Sequence, residues 1–173
     1  AIFMFFVGII LCSNQSHASN TNTNDYSFDI PSTYEVTITS NTLEAESTDG
    51  QNMIMIETQA KTNQYVISES YINYMKEYLA ETLGSNFILI DSDLIEQNGC
   101  KGIDLKYCQI ESGIYVYVNV FQFVSDNKAY TFMIMSLNQS YLTSNEKNNI
   151  VKSFKIKDTV NSSIGIPFTD VPS

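Results

Sequence analysis

The sequence predicts an α+β protein, an α/β/α sandwich built on a central antiparallel sheet. Residues 100–136 hold three strand-period segments joined by short polar turns, and turns that short connect antiparallel neighbours. The inner ones are apolar on both sides, whereas an antiparallel sheet with one wet face alternates apolar with polar residues. Two other segments, 69–83 and 144–154, change to a helical period and supply covers for the two faces.

Each element has its own signal. Tyr26, Phe28 and Ile30 alternate, and Pro31 ends that strand. Tyr34, Val36 and Ile38 repeat the period of two. Asp49-Gly50 is a hairpin turn signal, and the Met-Ile-Met-Ile run at 53–56 is apolar on both faces. Ile72, Met75, Leu79 and Leu83 then recur at three- and four-residue steps, with Tyr71 and Tyr78 widening the stripe. Ser68 suits the N-cap, Glu69 the first turn and Gly84 the stop. Phe-Ile-Leu-Ile at 87–90 and the alternating 100–110 segment read as strands. After a turn at Ser112-Gly113, the 114–124 strand sets Ile114, Val116, Val118, Val120 and Val124 on one side. Tyr115, Tyr117, Phe121 and Phe123 take the other. A turn at 125–127 leads to a strand at 129–136, with Tyr130, Phe132 and Ile134 opposed to Met133 and Met135. Ser144 caps a short last helix whose apolar side is Ile150, Val151 and Phe154.

Residues 1–12 form an uncharged apolar run, followed by a polar stretch in which Ser16 and Ala18 lie at −3 and −1 of a cut after Ala18. That is the pattern of a secretory signal peptide over 1–18, and it implies an extracytoplasmic location. Twelve apolar residues fall short of the ~20 that span a bilayer, so membrane contact is expected only through this segment if it is not cut. The polar low-complexity run 19–25 reads as a flexible tether. Residues 26–157 read as a single domain, and 158–173, with Pro167 and Pro172, as a tail.

Composition narrows the chemistry. Of 173 residues, 19 are Asp or Glu and 9 are Lys, none is Arg, and the formal net charge is −10. Nucleic acid is therefore excluded as a partner, because phosphate binding needs clustered cations. The one His, His17, lies in the signal-like segment, which leaves a mature chain without an imidazole to serve as catalytic base or as the His ligand that zinc catalysis normally recruits. No glycine-rich phosphate or dinucleotide motif occurs. The expectation is a protein that is not an enzyme and has no cofactor.

Few residues are candidates for a site. Asp91, Asp93 and Glu96 form the best acidic cluster. It reads as solvated strand-end charge, as a Ca²⁺ site, or as a carboxylate pair for hydrolysis. Glu44, Glu46 and Asp49 read as a solvated edge that discourages edge pairing. Lys147, Lys152, Lys155 and Lys157 make a mildly basic C-terminal patch. Cys100 and Cys108 read as two thiols on one face of a strand. A disulfide between them requires a sharp turn at Gly102, since eight extended residues span roughly 26 Å and a bridge tolerates about 7 Å between Cα atoms.

Several stretches carry a resemblance. Tyr-Ser-Phe-Asp-Ile-Pro-Ser-Thr-Tyr-Glu at 26–35, the helix Tyr-Ile-Asn-Tyr-Met-Lys-Glu-Tyr-Leu at 71–79, and Asn-Gly-Cys-Lys-Gly-Ile-Asp-Leu-Lys-Tyr at 98–107 occur in order. Asn-Asn-Ile-Val-Lys-Ser-Phe-Lys-Ile at 148–156 closes the series. Element order and apolar positions over 26–157 resemble the PsbP-like fold family, which includes Ran-binding Mog proteins and exported bacterial proteins of DcrB type. The resemblance implies a noncatalytic binding or assembly module, and together with the signal-like segment the expectation is an extracytoplasmic one with an envelope or extracellular protein partner. No metal-ligand or Ran-contact residues of the family map onto this chain. The alternative from the residues themselves is a Ca²⁺-dependent glycan binder or carboxylate-dependent hydrolase at Asp91, Asp93 and Glu96.

Overall fold

The computed structural model describes residues 19–61, 66–125 and 128–157. In chain order the elements are β1 (Ser19–Asn22), β2 (Tyr26–Ile30), β3 (Tyr34–Ile38), β4 (Thr42–Ser47) and β5 (Asn52–Ala60). Then come α1 (Glu69–Leu83), β6 (Phe87–Gln97), β7 (Cys100–Glu111), β8 (Ile114–Val124) and β9 (Lys128–Ser136). A 3₁₀ turn (Gln139–Thr143), α2 (Asn145–Ser153) and β10 (Lys155–Ile156) complete the fold. Seven strands form one antiparallel sheet in the order β3-β4-β5-β9-β8-β7-β6. A small second sheet has the order β1-β2-β10.

Local chemistry explains the punctuation. Ser68 Oγ accepts the Tyr71 amide at 3.2 Å and caps α1, and Ser144 Oγ does the same for Lys147 at α2. In the β4–β5 hairpin, Asp49 accepts from Ser47 Oγ at 2.6 Å and from the Gln51 amide at 3.0 Å. Ser112 and Gly113 have φ of 51° and 81°, the paired positive values of a type I′ hairpin turn.

Both faces of the large sheet are apolar, and each has its own cover. On one face Leu105, Tyr107, Val118, Val120 and Met135 pack with Met75, Leu79 and Leu83 of α1. The opposite face carries Ile54, Ile56, Phe121, Phe123, Tyr130, Phe132 and Ile134. Its cover is α2 together with the small sheet, through Tyr26, Phe28, Ile150, Val151 and Phe154. The sandwich is as expected, but its second layer is a helix plus a sheet rather than a helix alone. At its centre the Phe154 ring lies 5.2 Å from Phe132, 5.6 Å from Tyr26 and 5.8 Å from Phe123, centroid to centroid.

Three expectations are corrected. The run 19–25 is not a free tether: Ser19–Asn22 is a strand paired with β2, with Thr21 opposite Phe28 and buried. Its order comes from backbone pairing, which polar composition does not reveal. Glu44 and Glu46 do not lie on an edge, because β4 is hydrogen-bonded on both sides. They occupy the exposed positions of that strand. Residues 91–97 continue the 87–90 strand, with a register irregularity between Leu89 and Asp91. The signal-like segment 1–18 and the tail 158–173 lie outside the described residues.

Gly102 sits inside β7, not at a turn. A Cβ there would meet the Gln122 carbonyl oxygen at 2.5 Å and the Phe123 ring at 2.6 Å. Gly102→Ala is expected to cost about 1–3 kcal/mol, the usual penalty of overpacking. Phe154→Ala should cost about 3–5 kcal/mol through the cavity it leaves. Urea unfolding of both variants against the parent checks the two figures and their order.

Candidate functional site

Strand β6 ends the large sheet and is paired on one side only, to β7. Its exposed residues are unusually apolar: Ile88, Leu89, Ile90 and Leu94 each keep 40–46% of their surface in solvent. Its charges are Asp91, Asp93 and Glu96, with no Lys. An eleven-residue edge strand with exposed aliphatic side chains is a template for pairing with another chain.

The structure divides the three acids. Asp91 is opposite Lys106 and Asp93 opposite Asp104, whereas Glu96 is opposite Lys101. Alternation puts Asp91 and Asp93 on the α2 face and Glu96 on the α1 face. Asp91 is engaged by Lys106 Nζ at 2.9 Å, and the same ammonium lies 3.3 Å from Asp104. Among the described residues, no group of three or more His, Cys, Asp or Glu is arranged to hold a metal ion. The Ca²⁺ grouping thus fails at its first requirement, convergence of the oxygens.

Instead Asp91 begins a polar chain that sequence reading missed. It runs through Lys106 to Asp104, then to Asn119 Nδ2, and from Asn119 Oδ1 to Lys147 Nζ at 3.2 Å. Asn119 is fully buried and Lys147 is 5% exposed, so Lys147 is not part of a surface patch with Lys152 and Lys155. Its ammonium also lies 5.6 Å from the Phe121 ring centroid, within cation–π range. Burial pulls the Lys147 pKa below its ordinary value against the opposing pull of Asp104. Burial also disfavours the Lys106 charge, but Asp91 and Asp104 outweigh it and hold that pKa above ordinary. Hydrogen bonding from Lys106, followed by its charge, holds the Asp91 carboxyl low. Nearby, the Tyr34 and Tyr141 hydroxyls lie 2.6 Å apart, each within reach of Glu146 Oε1. Burial pushes both phenols well up, so they remain hydrogen-bond donors that tie α2 to β3.

Cys100 and Cys108 are buried on the same face of β7, and Cys108 is a free thiol, so no bridge joins them. Burial raises the Cys108 pKa, which opposes thiolate chemistry. No helix of the described residues is long and apolar enough to cross a membrane.

These layers, strand order and covers define an α+β PsbP-like fold. The chain is similar to the solution structure of cyanobacterial PsbP from Synechocystis, with 12% identity, a TM-score of 0.63, and coverage of 84% of this chain and 97% of that one. It is also similar to LpqN of Mycobacterium tuberculosis, described as involved in cell envelope biogenesis: 13% identity, TM-score 0.57, 84% and 88% covered. The Ran-binding protein Mog1p of Saccharomyces cerevisiae matches at 8% identity and TM-score 0.56, with 82% and 97% covered. No family model and no curated protein sequence matches the chain.

Lys106→Met should let the Asp91 carboxyl titrate higher, toward its ordinary range near 3.8. In the parent, its lowered pKa adds stability that is present above the unfolded value and is lost as pH falls through the folded value. Carboxyl-carbon NMR titration of Asp91 in both proteins reads the shift, and an unchanged Asp91 titration would refute the ion pair.

Proposed function

We propose that this chain is a noncatalytic extracytoplasmic binding or assembly module that engages an extended protein segment along β6. The observation that carries this reading is the open β6 edge with its exposed Ile88, Leu89, Ile90 and Leu94. Strand addition uses the edge's main-chain groups for affinity and its side chains for selectivity. The acids on β6 and the overall charge of −10 favour a partner segment that alternates apolar with basic residues. A second copy of this acidic edge would set carboxylates against carboxylates, which disfavours self-pairing. The signal-like pattern of 1–18 and the fold shared with LpqN, an envelope-biogenesis protein, support the location. The fold shared with Ran-binding Mog1p supports a protein as the ligand.

A photo-crosslinking amino acid placed at Ile88 or Ile90 should yield one discrete adduct in intact cells. The same probe at Glu35, on the opposite edge strand β3, should not. Adding Leu94→Lys should abolish the adduct while leaving the circular dichroism spectrum unchanged. Equal labelling from Glu35, or labelling indifferent to Leu94→Lys, would overturn the β6 assignment.

A further inference from the structure

All five methionines of the described residues fall on one face of the large sheet or on the helix that covers it. Met53 and Met55 are on β5, Met133 and Met135 on β9, and Met75 on α1. The first four form two Met-Ile-Met repeats, at 53–55 and 133–135. The β5–β9 register sets Met53 directly opposite Met135 and Met55 directly opposite Met133. Directly opposed positions hold their Cβ atoms about 4.5–5.5 Å apart. Four flexible thioether arms thus start from the corners of one small rectangle. Met53, Met55 and Met133 are half-buried, and Met135 is buried.

The surroundings of this rectangle suit a cation. On the next strand Glu46 is opposite Met53 and Glu44 opposite Met55, both exposed. Two carboxylates therefore flank the sulfurs on the same face. Beside them is a cavity of about 30 Å³ lined by Glu46, Asn52, Met53, Val116, Met135 and Ser136, and a hole of that size accommodates one water or one ion.

Methionine in a core is ordinarily a gap-filler. That role accounts for Met75, which packs with Leu79 and Leu83, and Met53, Met133 and Met135 touch the same apolar cluster. It does not account for two identical repeats in register beside two carboxylates and an ion-sized cavity. Thioether sulfur is neutral, soft and cannot be protonated in water, so it discriminates by metal softness. It selects Cu(I) over Zn²⁺, Ca²⁺ and Mg²⁺, which prefer imidazole, thiolate or oxygen donors.

We infer that Met53, Met55, Met133 and Met135 form a binding site for a soft monovalent metal ion, Cu(I), with Glu44 and Glu46 attracting the cation to the face. The ion enters and leaves as Cu(I), and binding involves no electron transfer. Among the described residues the competing thiols are Cys100 and Cys108, which lie on the opposite face of the sheet.

The test uses the full chain, labelled with ¹³C at the methionine methyl groups and titrated anaerobically with Ag(I), then with Cu(I) against a Cu(I) chelator. At one equivalent, the methyl signals of Met53, Met55, Met133 and Met135 should shift while those of Met4 and Met75 stay in place. The Met53→Leu, Met55→Leu, Met133→Leu, Met135→Leu variant conserves volume and should keep its Tm within a few degrees. It should lose at least 100-fold in Cu(I) affinity. Cys12→Ala with Cys100→Ala and Cys108→Ala, which removes every thiol of the chain, should retain the affinity. If the quadruple variant does not fold, the methyl shifts and the Met53→Leu, Met55→Leu pair decide. Unmoved methionine methyl signals at one equivalent, or Leu variants that hold Cu(I) as tightly as the parent, would overturn the assignment.

Discussion

Everything in this fold depends on the pairing of β5 with β9. These two nine-residue strands are hydrogen-bonded along their whole length, from Asn52 opposite Ser136 to Ala60 opposite Lys128. This is the pairing that joins the β3-β4-β5 block to the β6–β9 meander. It closes a long loop, so its chain-entropy cost comes before its reward. It also sets which side of the sheet every later residue faces. A slip of one residue would exchange the faces of one block relative to the other. Ile54 and Ile56 would then leave the aromatic cluster around Phe154, and Met53 and Met55 would enter it.

The two faces solve the covering problem differently. The α2 face is packed by rings, with Phe154 in contact with Tyr26, Phe28, Phe123, Tyr130 and Phe132. Aromatic rings bring large buried area with few rotatable bonds, so this face is the rigid one. Gly102 belongs to the same logic, since Phe123 occupies the space its side chain would need. The α1 face is packed by aliphatic and thioether side chains, and α1 reaches as far as Gln122 of β8 through the Tyr71 hydroxyl at 2.7 Å. Beyond the helix the face continues across β9, β5 and β4 as methionines followed by carboxylates. It is the softer face and the more accessible one.

Period, caps and turns made most elements legible in the sequence. The α1 cap at Ser68, the stop at Gly84 and the limits of β8 all follow from local rules that tertiary contacts did not override. Three kinds of information were not local. Strand order is one: the alternation of 34–38 and the acids of 42–47 look alike from sequence, and only pairing makes β3 the edge and β4 an inner strand. Backbone-only pairing is another, and it orders Ser19–Asn22 without an apolar signal. Lys147 is the third, and there a signal existed. Positions 147, 150, 151 and 154 lie at i, i+3, i+4 and i+7, so Lys147 belongs to the buried stripe of α2 by spacing alone. A charge on that stripe needs a buried partner, and Asn119 with the Phe121 ring provides one.

Methionine placement shows the same limit from the other side. The repeats at 53–55 and 133–135 are visible in the chain, and their period of two puts each pair on one side of its strand. Nothing within either repeat tells that the two sides coincide. That follows from the parity of the β5–β9 register, which pairs 53 with 135 and 55 with 133. Had the sum of paired positions been odd rather than even, one pair would have faced α1 and the other the rings of Phe154. The pairing that encloses the aromatic core is thus the same pairing that gathers four thioethers beside Glu44 and Glu46. Neither arrangement can be altered by a register shift without the loss of the other.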